Sequence, residues 1–168
     1  MLIPRIIPCL LLKNLGLVKS IRFKDYRYIG DPINAVRIFN AKEADELIFL
    51  DILASREKRK IQIDLIRKIG DEAYMPFTVG GGVDSLSIIK EILNAGAEKV
   101  CINSYALKNH EFIKEAADTF GSSTIVVSID IKTNLLKQKK VYDYSASRIT
   151  NINPVDFARL MESMGAGE

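Results

Sequence analysis

The sequence has no tryptophan, two cysteines and one histidine. A single histidine leaves little material for a histidine-based metal centre or a nucleophile–base pair. Neither zinc-ligand spacing nor a Walker-type phosphate loop occurs. The lone histidine, His110 in "LKNHEFI", reads as a surface residue at a helix start rather than a catalyst. Cys9 and Cys101 stand far apart in apolar, strand-like runs, which fits reduced thiols packed into the core of a cytoplasmic protein. No metal and no cofactor are expected. Long hydrophobic runs are also missing. The apolar start "MLIPRIIPCLLLKN" is broken by Pro4, Arg5 and Pro8, is too short to span a bilayer and has no signal-cleavage pattern. Charge of one sign is scarce too, the formal net charge being +3. The basic runs "REKRK" (56–60) and "KQKK" (137–140) lack interleaved aromatics and read as solvated helix-start or loop charges. Neither a membrane nor a nucleic acid is expected as a partner.

What is present is an alternation of two kinds of segment within 168 residues, the size of one ordinary domain. Short apolar, β-branched runs lie at 5–12, 46–52, 76–79, 99–103 and 124–131. Helical periodicity occupies 32–44, 58–72, 85–95, 111–120 and 154–164. Asp31-Pro32 and Asn153-Pro154 each give an N-cap followed by proline at the first helical position, and Asp84 or Ser85 can cap the third helix. Five β runs, each followed by a helix, require parallel strands with helical crossovers. Strands buried on both faces explain "LIFLDI" and "IVVSID", apolar nearly throughout. An open doubly wound sheet and a (βα)8 barrel both satisfy the pattern. A faint internal echo, "EADELIFLD", "GAEKVCIN" and the final "GAGE", favours the barrel. A closed barrel of this kind typically needs ~250 residues, so the expectation is an incomplete barrel of about five βα units. Residues 1–168 form its single partial domain.

The stretch "PFTVGGGVDSL" places three glycines between a strand and a helix. At the C-terminal mouth of parallel strands, Gly80, Gly81 and Gly82 would let backbone N–H groups gather around a phosphate, aided by the helix dipole beyond them. The alternative is a turn that uses glycine only for positive φ. Asn103 and Ser104 end the fourth strand and add side-chain donors. Asp130 closes "STIVVSID", where barrel catalysts lie, against the alternative of a capping or ion-paired acid. Asp51 ends the second strand in the same way and is expected to pair with a loop arginine or lysine.

In order along the chain, "RIIPCL", "GDP", "ADELIFLDI-A", "PFTVGGG", "GAEKVCINS", "EAADTFGS", "VVSID-K", "PV-FA" and "GAGE" resemble one family, the cyclase subunit of imidazole glycerol phosphate synthase (HisF). The resemblance implies a (βα)8 barrel acting as a lyase and cyclase. Such a subunit uses ammonia from a glutaminase partner to convert a phosphorylated aminoimidazole ribonucleotide precursor in histidine synthesis. It implies a phosphate held at Gly81, Gly82, Asn103 and Ser104, and Asp130 as one of two acid–base residues. It places Lys19 in a mobile first loop over the substrate, where the alternative is a plain surface lysine. It also makes Arg5, Glu46, Lys99 and Glu168, at the N-terminal starts of strands, a charged gate for ammonia. Glu168 is the last residue given, which leaves closure of that ring open.

One position departs from the pattern. The second acid–base aspartate would stand at position 11, where this sequence has Leu11. Chemistry that depends on paired acid–base groups should lose at least ~10²-fold from that change alone. The same "PCLLLKN" looks like HisF-like members associated with amidation in surface-sugar biosynthesis. These would channel ammonia onward rather than close an imidazole ring. A reading of another class is a non-catalytic incomplete barrel, with bare apolar edges on its first and fifth strands, that self-associates.

Overall fold

The computed structural model describes residues 4–21 and 24–168, the first three residues of the apolar start lying outside them. Its main sheet has seven strands, in the order β3 (Lys24–Gly30), β2 (Gly16–Ile21), β1 (Cys9–Lys13), β4 (Leu47–Asp51), β5 (Phe77–Gly80), β6 (Lys99–Ile102) and β7 (Ile125–Val127). Five of them, β1 (Cys9–Lys13), β4 (Leu47–Asp51), β5 (Phe77–Gly80), β6 (Lys99–Ile102) and β7 (Ile125–Val127), are parallel neighbours. These are the five apolar runs. β5 and β6 are buried at every residue, as strands covered on both faces must be.

Helices return the chain between them: α1 (Pro32–Ala41), α2 (Ala54–Glu57), α3 (Ile63–Glu72), α4 (Leu86–Asn94), α5 (Ser104–Lys108), α6 (Glu111–Phe120) and α7 (Pro154–Ser163). Both proline-marked starts are capped as their residues suggest. Asp31 accepts from the N–H groups of Ile33 and Asn34, and Asn153 from that of Val155. Ser85 holds the N-cap position of α4, but its side chain caps nothing there. The expected helix over 58–72 starts later, because Lys58 turns left-handed at φ 51° and ends α2. Phe49, Ile66, Ile88, Ile89, Ile92 and Ile113, all fully buried, join the sheet to this helical layer.

Two antiparallel excursions depart from the expectation of strand–helix alternation alone. After β1 the chain forms β2 (Gly16–Ile21) and β3 (Lys24–Gly30), and β2 pairs back onto β1. After β7 it forms a separate three-stranded sheet, β8 (Ile131–Thr133), β9 (Lys139–Asp143) and β10 (Arg148–Ile149). The expected bare edges are therefore partly dressed. β2 covers the C-terminal half of β1, from Leu11 to Lys13. Gly167 and Glu168 run beside β7, with Val127 N–H donating to the Glu168 carbonyl at 2.8 Å and Gly167 N–H to that of Ile125 at 3.0 Å.

The sheet curls. Arg5 precedes β1, and Glu168 lies one position beyond β7, on the opposite margin of the parallel strands. In a flat sheet five inter-strand steps would separate them by ~24 Å. Arg5 Nη2 nevertheless donates to Glu168 Oε1 at 2.7 Å. Only an arc that brings its two margins together permits that contact, and such an arc is a barrel wall. The fold is thus α/β, of the (βα)8-barrel type.

Candidate functional site: a cleft at the strand ends and a charged ring opposite

The C-terminal ends of the parallel strands open into a cleft of about 540 Å³. Gly81, Gly82, Asn103, Ser104 and Asp130, picked out separately along the sequence, line it together. Lys19 does not. It lies on β2 rather than in a loop, exposed, while its neighbour Ser20 lines the cleft. Alternation along a strand sends adjacent side chains to opposite faces, so Lys19 faces away.

The glycines have a local reason that the sequence could not reveal. At Gly81 (φ 124°) a Cβ would stand 2.6 Å from the Asp51 carbonyl oxygen. At Gly82 (φ 68°) it would collide with the Arg59 carbonyl oxygen. The loop after β5 is pressed against the loop after β4, and side chains are excluded at both positions. Close approach of protein backbone thus accounts for these two glycines before any ligand is invoked. Among the described residues, neither Gly82 nor Val83 N–H meets a hydrogen-bond acceptor. Gly81, Gly82, Val83 and Asp84 of this loop line the cleft.

Asp51 anchors that arrangement. Its carboxylate is buried and takes two bonds from Arg59, Nη1 to Oδ2 at 2.6 Å and Nη2 to Oδ1 at 3.0 Å. It also accepts from the N–H groups of Leu53 and Ala54. The expected pairing with a loop cation is present. Hydrogen bonds donated to Asp51 and Glu57 hold the Arg59 guanidinium well above its ordinary pKa. Arg59 is consequently no solvated charge, unlike most of "REKRK".

Asp130 is half-buried at the cleft, beyond the end of β7, which is shorter than its sequence run suggests. Burial pushes its carboxyl above the ordinary range, while a hydrogen bond from Asn103 Nδ2, 3.3 Å from Oδ2, pulls the other way. Asn103 also donates to Ser128 Oγ at 3.0 Å. A carboxyl lifted toward neutrality suits proton transfer. Leu11 lines the same cleft from β1, paired between Val18 and Leu50. The cleft so presents one poised carboxyl and an apolar side chain at the position expected to carry a second.

Tyr26 and Tyr144 also line the cleft, and sequence reasoning passed over both. They come from the two antiparallel excursions, whose mixed polar composition gives no periodic signal. Lys58 and Lys108 add positive charge to the wall.

At the opposite, N-terminal ends of the strands, the four charges form a closed ring. Arg5 donates to Glu46 at 3.2 Å and to Glu168 at 2.7 Å. Lys99 Nζ donates to Glu46 at 3.0 Å and to Glu168 at 2.9 Å. Thr78 Oγ1 donates to the remaining Glu46 oxygen at 2.7 Å. The doubt about closure at Glu168 is thereby resolved: the segment beside β7 carries its carboxylate to both cations. The hydrogen bond from Arg5, then that from Lys99, holds Glu168 below the usual carboxylate range. Burial works to lower the Lys99 ammonium, but its bonds to Glu168 and Glu46 outweigh that and keep it above its ordinary value.

Two smaller expectations need correction. Cys9 is exposed rather than core, because β2 begins to pair with β1 only at Leu11. Cys101 is buried, which pushes its thiol up to about 12. His110 is half-buried edge-on to Phe157 at 5.8 Å, with Nε2 out of solvent and without a hydrogen-bond partner. Among the described residues no group of three or more His, Cys, Asp or Glu is arranged to hold a metal. No helix among them is long and apolar enough to cross a membrane.

Comparison with known proteins agrees with this geometry. Residues 5–168 match the family model described as "Histidine biosynthesis protein". The imidazole glycerol phosphate synthase subunit HisF of Thermococcus onnurineus is 45% identical over 168 residues, covering 100% of this chain and 66% of the relative. The HisF subunit of Hydrogenobaculum sp. is 45% identical over 168 residues, covering 100% and 67%. That of Methanococcus vannielii is 40% identical over 188 residues, covering 100% and 69%. The chain spans about two thirds of the length of the curated relatives it matches. With the curled parallel sheet, the glycine loop at one end and the charged ring at the other, a match over nearly every residue leaves one conclusion: the chain belongs to the histidine biosynthesis protein family.

Proposed function

We propose that this chain is the phosphate-holding and ammonia-admitting portion of an imidazole glycerol phosphate synthase cyclase subunit. It would act on a phosphorylated aminoimidazole ribonucleotide with ammonia released by a glutaminase partner. One observation carries the reading: a cleft with Gly81, Gly82, Asn103, Ser104 and Asp130 at one end of a curled sheet, and a closed Arg5–Glu46–Lys99–Glu168 ring at the other. In it the phosphate is held by the Gly82 loop and by Asn103 and Ser104. Asp130, with its carboxyl raised by burial, exchanges a proton with the reacting ring. Ammonia is neutral and tolerates an apolar interior that excludes ions. A ring of paired charges then acts as a lid at its entrance. No cofactor is required by these steps.

Leu11 favours a second reading. With one carboxyl instead of two, the site suits a relative that passes ammonia to a separate amidation, as in surface-sugar synthesis. Turnover of the phosphorylated ribonucleotide precursor with ammonium salt separates the two readings. Cyclase chemistry predicts measurable wild-type turnover that falls at least ~10²-fold in Asp130→Asn. No wild-type turnover, with activity gained in Leu11→Asp, would transfer support to the second reading. Turnover indifferent to Asp130 would remove both.

A further inference from the structure

The hairpin joining β8 to β9 carries two neighbouring leucines at its tip. Leu136 is 77% exposed and Leu135 completely so. A single exposed leucine is ordinary, but an adjacent pair at one apex is a patch. The tip is held in shape. Asn134 Oδ1 accepts from the N–H groups of Leu136 at 3.0 Å and Gln138 at 2.9 Å. Asn134 N–H donates to the Gln138 carbonyl at 2.9 Å, and Lys137 N–H to the Asn134 carbonyl at 3.0 Å. Lys137 takes a left-handed backbone (φ 59°), unfavourable for a residue other than glycine. The N–H groups of residues 136–138 are thus satisfied within the turn, so the apex leaves water without orphaning them.

Charge around the apex is of one sign. Lys132, Lys137, Lys139 and Lys140 flank it, and no Asp or Glu occurs between Asp130 and Asp143. Among the described residues none of these four lysines takes part in an ion pair. Lys132 and Lys140 stand directly opposite each other across the β8–β9 ladder, where like charges repel. Lys132 Nζ lies 3.5 Å from the centre of the Tyr142 ring, and Lys140 Nζ donates to the Asn151 carbonyl at 3.2 Å. Neither contact neutralises its charge.

We propose that the Leu135–Leu136 tip, with its collar of lysines, docks on an anionic lipid surface. A fully exposed, projecting apex suits a fluid receptor that closes around it. The leucines enter the boundary of the acyl chains while the lysines meet headgroup phosphates. No apolar run in the sequence is long enough to span a bilayer, which was the ground for expecting no membrane partner; docking at the surface needs no such run. Orientation follows from topology. β8 begins immediately after Asp130, which lines the cleft, whereas the Arg5–Glu46–Lys99–Glu168 ring lies at the other end of the strands. Docking therefore turns the cleft toward the lipid and leaves the ring facing away from it. The inference does not depend on what the cleft holds.

Flotation of the chain with vesicles of equimolar phosphatidylcholine and phosphatidylglycerol, against phosphatidylcholine alone, tests it. Binding to the anionic vesicles alone is expected. It should weaken roughly tenfold when Leu135→Ser and Leu136→Ser are combined, and roughly twentyfold when Lys137→Gln and Lys139→Gln are. All four side chains are exposed, so the fold survives these changes. Because the sequence has no tryptophan, Leu136→Trp supplies a second readout, its emission shifting to the blue on the anionic vesicles only. Absence of binding would overturn the proposal, as would binding that responds to the lysine changes but not to the leucine changes. Tryptophan emission that responds to poly-glutamate but to neither vesicle would overturn the lipid surface in favour of an acidic protein.

Discussion

At the residue scale, the cleft depends on positions where a side chain is absent or altered. Gly82 combines a positive φ with the Arg59 carbonyl at the place its Cβ would occupy. Gly82→Ala should therefore cost roughly 1–3 kcal/mol from backbone strain alone, and more if the loop after β4 cannot retreat. A urea-unfolding midpoint unchanged from wild type would show that the loop yields freely. The three glycines were visible in the sequence, but their cause was not, since a clash with backbone more than twenty residues away, such as that of Gly82 with Arg59, leaves no mark on composition. Asp51 was easier, because an acid ending an apolar strand needs a cation and "REKRK" follows closely. Tyr26 and Tyr144 were invisible, being single aromatics in polar stretches that only the fold brings together.

At the element scale, the ring at the strand starts joins β1, β4, β5, β6 and the segment beside β7. Glu46 is 3% exposed and serves Arg5, Lys99 and Thr78 at once. Glu46→Ala would leave the Lys99 ammonium buried with half its partners gone, a loss of about 3–5 kcal/mol. Arg5→Ala, at an exposed side chain, should cost much less. Denaturant unfolding of both variants would contradict this ranking if the losses were equal.

The ring also sets a pH window. Glu168 titrates below its ordinary 4.5 in the folded chain, so its contribution is present above that value and is lost as pH falls through the depressed one. Lys99 titrates above its ordinary 10.5, so its contribution is present below that value and is lost as pH rises past the raised one. Glu168→Gln should flatten the acid side of a plot of Tm against pH, and an unaltered acid limb would show that the pair is solvent-screened. The parallel strands themselves were legible because burial on both faces makes a run apolar throughout. The antiparallel excursions were not, since residues 25–30 of β3 are largely exposed, as is most of β8, and their sequences "KDYRYIG" and "IKT" carry no clear apolar run.

At the scale of the whole molecule, the curl was the feature least accessible to sequence reasoning. Segment order admitted an open sheet, and only the contact between Arg5 and Glu168 excludes it. An apolar groove lined by Val127, Ile129 and Met161 remains beside β7, and Ile6 and Val155 are more than half exposed. Such surface should drive self-association. Light scattering is expected to give a mass above the 18.8 kDa of one chain, and a stable, cooperatively unfolding monomer would contradict that.

Titration of isotope-labelled chain with inorganic phosphate, followed by amide shifts, is the most direct test of the functional reading. Saturable shifts clustered at Gly81, Gly82, Val83, Asn103 and Ser104, with Arg5, Glu46 and Lys99 unmoved, are the predicted result. Shifts absent from the glycine loop, or centred on the charged ring, would contradict an anion site at the strand ends.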